Sequence, residues 1–346
     1  MRLGFPVKVL ARPDLKSNDT RRWKSEPHLR VSLEYLDQIL DHCAKQGHRM
    51  YRMSSDLAPY ATHPDMPQFH SMIAECDAEL AAIGAKARQL DIRLSFHPSQ
   101  FVLINAPDSA IVEKSVNDLA SQAEMLDRMG LGPEAVMVTH VGGVYDDRRQ
   151  AMQRWVDNFE RMPEPARRRL VLENDDLRFS ALDTLWIHER TGVRLIFDHQ
   201  HHHCFNPEGA PMVDTFRRVL ETWPEGQRPK MHFSSPRTQM REIVRKDRKT
   251  GKNVTTLQEP IWTGHADFIQ PFEFVRFMRD CAELVSDVKP FDVMLEAKMK
   301  DLALVRLRKD LARYAPDVAA MFGLEAAEGA RPVPEEGRER LEALAS

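Results

Sequence analysis

The chain has 346 residues, of which 42% are hydrophobic and 29% charged, with 22 Pro, 15 Gly and a formal net charge of −3. This balance is typical of globular proteins with a sizeable core, and it excludes collagen-like, coiled-coil and largely disordered chains. We find neither a signal-peptide pattern nor an apolar run of about 18 residues, so we expect a cytoplasmic protein without a membrane partner. The four cysteines are far apart and form no C-x-x-C pair, which predicts free thiols.

Short apolar or β-branched runs alternate with longer amphipathic segments along the chain. The runs that predict strands are 2–7, 49–54, 92–97, 135–141, 170–173, 193–198, 229–233 and 291–296. The segments that predict helices are 29–46, 68–90, 109–129, 150–161, 180–190, 213–222, 272–286 and 302–314. Strict alternation of eight strands with helices predicts a TIM (β/α)8 barrel.

The barrel accounts for residues 1–322 as a single domain. An open doubly wound sheet is the alternative, but the turn after the first strand, Gly4-Phe5-Pro6, lacks the G-x-G-x-x-G pattern typical of that fold. Residues 235–264 are too long and polar for an ordinary loop, and they predict an exposed basic insertion. Residues 323–346 are rich in Ala, Glu and Pro, and we expect a loosely packed or disordered tail there.

Six predicted strands end in a residue of a metal-ligating type: His97, His140, Glu173, Asp198, His232 and Glu296. In a barrel the C-terminal strand ends open onto one face, so these side chains should converge, and buried carboxylates so close together require cations. Mixed imidazole and carboxylate ligands suit Zn, Mn or Fe, and the count predicts two or three ions. His63 and His265 could join them, and in the histidine-rich run 199–203 the spacing favours His201 as the partner of Asp198.

Several ions on one face favour phosphodiester hydrolysis. A sugar isomerase or epimerase is the nearest alternative, and a non-catalytic metal-binding protein is a third. Between Arg2 and Arg30 the chain has eight Lys/Arg against three Asp/Glu, and between Ser234 and Thr256 it has seven against two. Such basic segments favour double-stranded DNA over a monosaccharide, because a duplex requires phosphate contacts along its backbone.

The motifs at these strand ends also resemble a known family. They are Arg2-Leu-Gly-Phe-Pro6, Arg52-Met-Ser-Ser-Asp-Leu57 continuing to His63-Pro64, Ser95-Phe-His-Pro-Ser-Gln-Phe101, Thr139-His-Val-Gly-Gly143, Leu172-Glu-Asn-Asp175, Phe197-Asp-His-Gln-His-His202, Pro229-Lys-Met-His-Phe233 and Asp292-Val-Met-Leu-Glu-Ala-Lys298. As an ordered set over roughly 300 residues, they resemble the UV damage endonucleases and, more distantly, endonuclease IV.

This resemblance implies a barrel with a cluster of three divalent ions, usually manganese, with zinc or magnesium as alternatives. It also implies incision of DNA directly 5′ of UV photoproducts and sometimes of abasic sites. The implied metal ligands are His63, His97, His140, Glu173, Asp198, His201, His232, His265 and Glu296. Glu173 would bridge ions. The catalytic set would consist of Glu173, Lys230 and Glu296. Lys230 occupies a position where the family can carry a carboxylated lysine.

The resemblance further implies contacts with a damaged duplex. Gln100 and Phe101 match the pair thought to probe the gap left by a flipped dinucleotide, which is a sensible use of a wedge. We expect the other contacts with DNA or the lesion from Phe5, Arg241, Arg245 and Lys246. Phe5 and Phe101 stand where tyrosine is common, which keeps a stacking surface without its hydroxyl. We expect a monomer without an obligate protein partner, acting at the nucleoid.

Overall fold

The computed structural model describes residues 1–145 and 147–327. Its strands are β1 (Leu3–Pro6), β2 (Met50–Arg52), β3 (Arg93–Ser95), β4 (Met137–His140), β5 (Leu170–Glu173), β6 (Arg194–Ile196), β7 (Lys230–Phe233), β8 (Pro236–Arg237), β9 (Arg241–Lys246), β10 (Asn253–Gln258), β11 (Ile261–His265) and β12 (Asp292–Leu295). Each of the eight predicted strands contains one of these elements, namely β1 to β7 and β12.

The helices lie between the strands. They are α1 (Leu29–Gln46), α2 (Met72–Glu75), α3 (Asp77–Gln89), α4 (Ser109–Arg128), α5 (Arg148–Arg161), α6 (Glu164–Arg169), α7 (Ala181–Thr191), α8 (His199–Cys204), α9 (Met212–Glu221), α10 (Pro271–Asp280), α11 (Ala282–Asp287), α12 (Lys300–Tyr314) and α13 (Pro316–Met321). Short 3₁₀ turns occur at Trp23–Ser25 and Pro67–Phe69. Among the described residues, no helix is long and apolar enough to cross a bilayer.

The eight main strands are all parallel and form two sheets. One sheet has the order β3-β2-β1-β12-β7, and the other has the order β4-β5-β6. Single bridges join the sheet edges, from Phe96 to Met137 and from Asp198 to His232. The first and last of these strands are neighbours, with Leu3 opposite Val293. All C-terminal ends of the eight strands therefore lie on one side of the structure.

The largest core lies between the strands and the surrounding helices. α1 shows how the sequence builds it, because its apolar residues recur every three or four positions and Leu33, Leu36 and Leu40 are buried. Gly47 ends α1 with a φ of 68°, a backbone conformation that favours glycine. α1 coincides with its predicted range, since both the start and the end carry clear signals.

The opposite face of the strands carries both apolar and charged residues. Along β4 to β6 it carries a separate apolar cluster composed of Val136, Val138, Val171, Ile196 and Trp223. On the other sheet the corresponding positions carry buried Arg93, Lys230 and Asp292. Arg93 Nη1 lies 3.0 Å from Asp292 Oδ2, an ion pair that is almost completely buried. These strands are thus buried on both faces, as is typical of parallel sheets.

The predicted basic insertion is exposed, as expected, and it forms antiparallel strands. β8 pairs with β11 and β9 with β10, both antiparallel, and the β9–β10 hairpin sets Arg241 opposite Gln258 and Lys246 opposite Asn253. The β-branched pair Ile243-Val244 lies between charged pairs in β9. The Asp247 carboxylate accepts three hydrogen bonds from Lys249 and Thr250 to form the turn. We call residues 241–258 the ribbon.

Other boundaries differ from the prediction where local breaks interrupt the pattern. The predicted helix 68–90 is divided at Cys76, and the predicted helix 272–286 at Cys281. All four cysteines are free, as expected. Of the predicted tail, Ala327 N donates to Ala312 O at 2.9 Å, and residues 328–346 lie outside the described part of the chain.

Candidate metal centre

The six predicted ligands meet at the C-terminal ends of the parallel strands. His140 and Glu173 are the last residues of β4 and β5, and His232 lies near the end of β7. His97, Asp198 and Glu296 follow β3, β6 and β12. The ligand atoms form three groups, and within each group they all lie within 4.8 Å of one another. The groups are His97, Glu173 and His232; His140, Glu173 and His201; and Asp198, His232 and Glu296. The strand geometry therefore gathers residues from across 200 positions of sequence.

Glu173 lies at the middle of this cluster. Its Oε1 is 2.7 Å from His232 Nδ1 and 3.7 Å from His201 Nδ1. Its Oε2 is 3.3 Å from His97 Nε2 and 3.8 Å from His140 Nε2. One carboxylate thus faces four imidazoles.

Glu296 forms the other side of the cluster. Its Oε1 lies 3.3 Å from His232 Nδ1, and its Oε2 lies 3.7 Å from His265 Nδ1. Arg52, at the end of β2, donates a short hydrogen bond to Oε1. The sequence analysis did not single out Arg52, although it opens the quoted motif Arg52-Met-Ser-Ser, and the detectable signal was a charged residue closing an apolar strand.

Only one histidine of the 199–203 run enters the cluster. The run forms α8, with Asp198 as its N-cap, and the Asp198 Oδ1 accepts from His201 N at 2.8 Å. His199 stacks on Phe233 with ring centroids 4.5 Å apart, and His202 Nε2 lies 3.1 Å from Ala210 O. The helical spacing therefore selects His201, as the sequence predicted.

Burial and mutual charge determine the protonation of these groups. Burial alone would raise the pKa of Glu173 and Glu296, but His232 beside the first and Arg52 beside the second hold both values well below the usual range. Burial raises the pKa of Asp198 to about 8. Burial also opposes the charged form of His201, yet Asp198 and Glu173 raise its pKa to about 9.

The donor atoms suit divalent cations. Glu173 Oε2, Asp198 Oδ2 and His232 Nε2 are buried without a hydrogen-bond partner in the described part of the chain, and such atoms are costly unless something coordinates them. His97 Nδ1 lies 3.1 Å from Pro98 O, so the tautomer with a proton on Nδ1 leaves Nε2 free beside Glu173. Nitrogen and oxygen donors without sulfur match the predicted metal chemistry.

Lys230 lies beneath the cluster, on β7. Its side chain is buried, and Nζ donates to Ser95 Oγ at 3.2 Å. Burial, together with Arg93 and Arg52, lowers the pKa of Lys230 well below its usual value. This lysine therefore does not face solvent.

His63 is not brought into the three ligand groups. It lines a neighbouring cavity of about 500 Å³, and its Nδ1 accepts from Asp65 N at 3.2 Å. His265 is also outside the three groups, but it lines the cleft of about 660 Å³ that contains His97, His140, His201 and Glu296.

The predicted DNA contacts are distributed unevenly. Gln100 lines the cleft, and the adjacent Phe101 side chain is 73% exposed. The prediction for Phe5 was wrong, because Phe5 is completely buried on β1 and packs edge-to-face against His48 and Tyr51. An aromatic residue in a parallel strand belongs to the core, whatever residue type the family prefers there.

The basic residues of the ribbon lie at the surface. Arg241 Nη2 is 3.0 Å from Asp267 Oδ1, so this arginine anchors the ribbon to the segment that follows His265. Arg245 and Lys246 are exposed further along β9.

The strand topology and the ligand cluster together define a parallel α/β protein with an imidazole–carboxylate centre at its C-terminal strand ends. Comparison with known proteins then gives the family. The chain belongs to the UV-endonuclease UvdE family, whose model matches residues 17–325. A UV DNA damage endonuclease of Bacillus velezensis is 31% identical over 289 residues, which cover 83% of this chain and 81% of the relative.

Solved structures agree with this family. The crystal structure of SacUVDE matches with a TM-score of 0.72 and 29% identity, covering 90% of this chain and 98% of that chain. A D-psicose 3-epimerase from Clostridium cellulolyticum H10 covers 99% of this chain and 97% of its own, with a TM-score of 0.48 and 13% identity. The second likeness is too weak to support any argument about function.

Proposed function

We propose that this protein is an endonuclease that incises double-stranded DNA directly 5′ of UV photoproducts, with abasic sites as further substrates. The observation that carries the proposal is the convergence of four imidazoles on the Glu173 carboxylate at the strand ends. Membership of the UvdE family supports the choice of UV-damaged DNA over a sugar. No observation favours the alternative of a sugar isomerase.

The centre would hold divalent metal ions, three in number and manganese in identity. His97, His140, Glu173, Asp198, His201, His232, His265 and Glu296 would bind them, with His63 as a further ligand. When bound, such ions activate water for attack and neutralise charge on the phosphodiester. Glu173 Oε2, which faces two imidazoles, and Asp198 Oδ2, which is buried without a hydrogen-bond partner in the described part of the chain, support this assignment.

The surrounding residues keep the ligands in place. Arg52 orients Glu296 through its hydrogen bond. Asn174 accepts from Asp198 N at 2.9 Å and donates to Asp198 O at 3.1 Å, which positions the backbone of that ligand. Lys230 remains the proposed position of a carboxylated lysine within the catalytic set, and mass spectrometry of the intact protein tests that modification.

Duplex DNA would lie across the cleft. Phe101 projects at the cleft rim with most of its ring in solvent, as a side chain that enters a base stack must. Arg245 and Lys246 on the ribbon would bind phosphates at some distance from the lesion, which contributes affinity rather than lesion selectivity.

We also propose that the eight parallel strands form a (β/α)8 barrel in one domain, residues 1–322, acting as a monomer. The bridges between Phe96 and Met137 and between Asp198 and His232 support this arrangement, since they connect the two sheets at both edges. A single large apolar cluster extending from Leu3 to Ala319 supports the single domain.

The direct test is incision of a UV-irradiated duplex and of the same undamaged duplex, with Mn²⁺ present. We expect 5′ incision of the damaged duplex only. Equal rates on both duplexes, or incision of neither, would refute the proposal. Turnover of free monosaccharides under the same conditions would instead support an isomerase.

A further inference from the structure

The chain makes a tight turn directly after the ligand Glu173. Asp175 Oδ1 accepts hydrogen bonds from Leu177 N, at 2.9 Å, and from Arg178 N. Asp175 N donates to Phe179 O at 3.0 Å. Because Asp175 and Phe179 are buried, the base of the turn is anchored and its tip, Leu177 with Arg178, stands outward.

The tip displays an apolar side chain and a cation at the cleft. Leu177 is 62% exposed, and both Leu177 and Arg178 line the cleft together with His97 and His140. The Arg178 guanidinium makes no hydrogen bond or ion pair with any residue in the described ranges. An exposed leucine in a polar cleft gains free energy only when another apolar surface covers it.

The turn and Gln100 line the same cleft, and Phe101 is the residue next to Gln100. Gln100 and Phe101 follow β3, whereas Leu177 follows β5, and the strand between them is β4. The segment after β4 carries Gly142, whose φ is 117° and whose added Cβ would lie 2.3 Å from Asn105 Oδ1. Glycine is therefore required there, and the floor between the two apolar projections bears no side chain at that position.

We propose that Leu177 is a second wedge, which enters the base stack of a damaged duplex two strands away from Phe101 along the cleft, and that Arg178 binds the adjacent phosphate. This inference rests on the proposed function and adds a residue to lesion recognition. Leucine and phenylalanine are both side chains that proteins insert between base steps. Two adjacent extrahelical nucleotides leave a gap bordered by two stacked neighbours, and two separate wedges would support both.

The test compares Leu177→Ala, Leu177→Met and the control Ile111→Ala, whose apolar side chain is exposed on α4 and outside the lining of the cleft. Each variant is assayed on a UV-damaged duplex and on the same duplex with mismatched bases opposite the lesion. We expect Leu177→Ala to incise the paired duplex about tenfold more slowly and the mismatched duplex within about twofold of wild type, because mismatching lowers the cost of unstacking. Leu177→Met and Ile111→Ala should match wild type.

Equal incision of the paired duplex by wild type and Leu177→Ala overturns the inference, as does the same loss on both duplexes, which would indicate a fault in folding or chemistry. A second readout does not depend on cleavage. With metal chelated, 2-aminopurine opposite the lesion should fluoresce more with wild type than with Leu177→Ala, and equal fluorescence also overturns the wedge. If wild type does not incise the damaged duplex at all, the proposed function is refuted. The difference in fluorescence between wild type and Leu177→Ala still tests the role of Leu177 in that case.

Discussion

The substitution Glu173→Gln allows the stability of the metal-free protein and its affinity for metal to be measured separately. The substitution preserves the shape of the side chain but removes the charge that faces four imidazoles at 2.7–3.8 Å. Despite burial, His232 and His140 hold the pKa of Glu173 well below its usual range, and Glu173 helps to raise the pKa of His201, so this carboxylate is attracted by its neighbours in the folded chain. Removing one member of a buried charged group leaves the others uncompensated, so in the presence of a chelator we expect Glu173→Gln to be less stable than wild type.

A difference in metal affinity should appear when metal is added. A unit charge at about 4 Å contributes roughly 4 kcal/mol at an effective dielectric constant of about 20, which is roughly a thousandfold in affinity. Wild type at about a thousand times its Kd gains about 4 kcal/mol, whereas a variant weakened a thousandfold gains less than about 1 kcal/mol. For 346 residues, these gains correspond to Tm increases of roughly 6 °C and under about 1 °C.

Calorimetry with and without Mn²⁺, together with elemental analysis, measures both quantities. Glu189→Gln is the matched control, because Glu189 is an exposed carboxylate on α7 that belongs neither to the ligand groups nor to the lining of the cleft. It should respond to metal as wild type does. If Glu173→Gln retained the full metal-dependent increase in Tm, the central role of this carboxylate would be refuted.

Three further outcomes follow from the structure. In Gly84→Ala the new methyl would lie 1.7 Å from Met129 O, whereas an added Cβ at Gly132 meets nothing within 4 Å. Urea unfolding should therefore show that the free energy of unfolding falls by about 3 kcal/mol in Gly84→Ala and changes little in Gly132→Ala. Equal stability of the two variants would contradict this packing. Burial, with Arg308 and His42 nearby, lowers the pKa of His48 from 6.5 to about 3. Because the unfolded chain binds this proton at a higher pH than the folded chain, the free energy of unfolding should fall by up to about 1.4 kcal/mol per pH unit below about pH 6.5. The variant His48→Gln should show a smaller slope. Arg245→Ala should reduce by about one the slope of log affinity for DNA against log salt concentration without altering the maximal incision rate, and an unchanged slope would exclude Arg245 from phosphate contact.

The sequence predicted the strands and their terminal ligands because both depend on simple periodicity. Parallel strands that are buried on both faces read as apolar runs, and a His or Glu at the end of such a run is conspicuous. Asp198 and His201 were paired from their spacing alone, and α8 explains why, since residues three apart share a helix face.

The failures have a common physical cause, which is tertiary context. Phe5 was assigned to DNA by family position, yet burial against Tyr51 is decided by strand pairing that no local pattern reveals. The insertion was predicted as exposed and basic, but its strands were not, because a solvated hairpin lacks an apolar face. Arg52 and Asn174 escaped notice because they act through hydrogen bonds to Glu296 and Asp198, which exist only after folding.

The pairing of β1 with β12 has a consequence for biosynthesis. Leu3 finds its partner Val293 only after about 290 further residues have been translated, and Glu296 is the last of the clustered ligands to leave the ribosome. At about 5–20 residues per second, roughly 15–60 s separate the first strand from that ligand. A nascent chain thus cannot assemble the candidate metal centre until Glu296 has been translated.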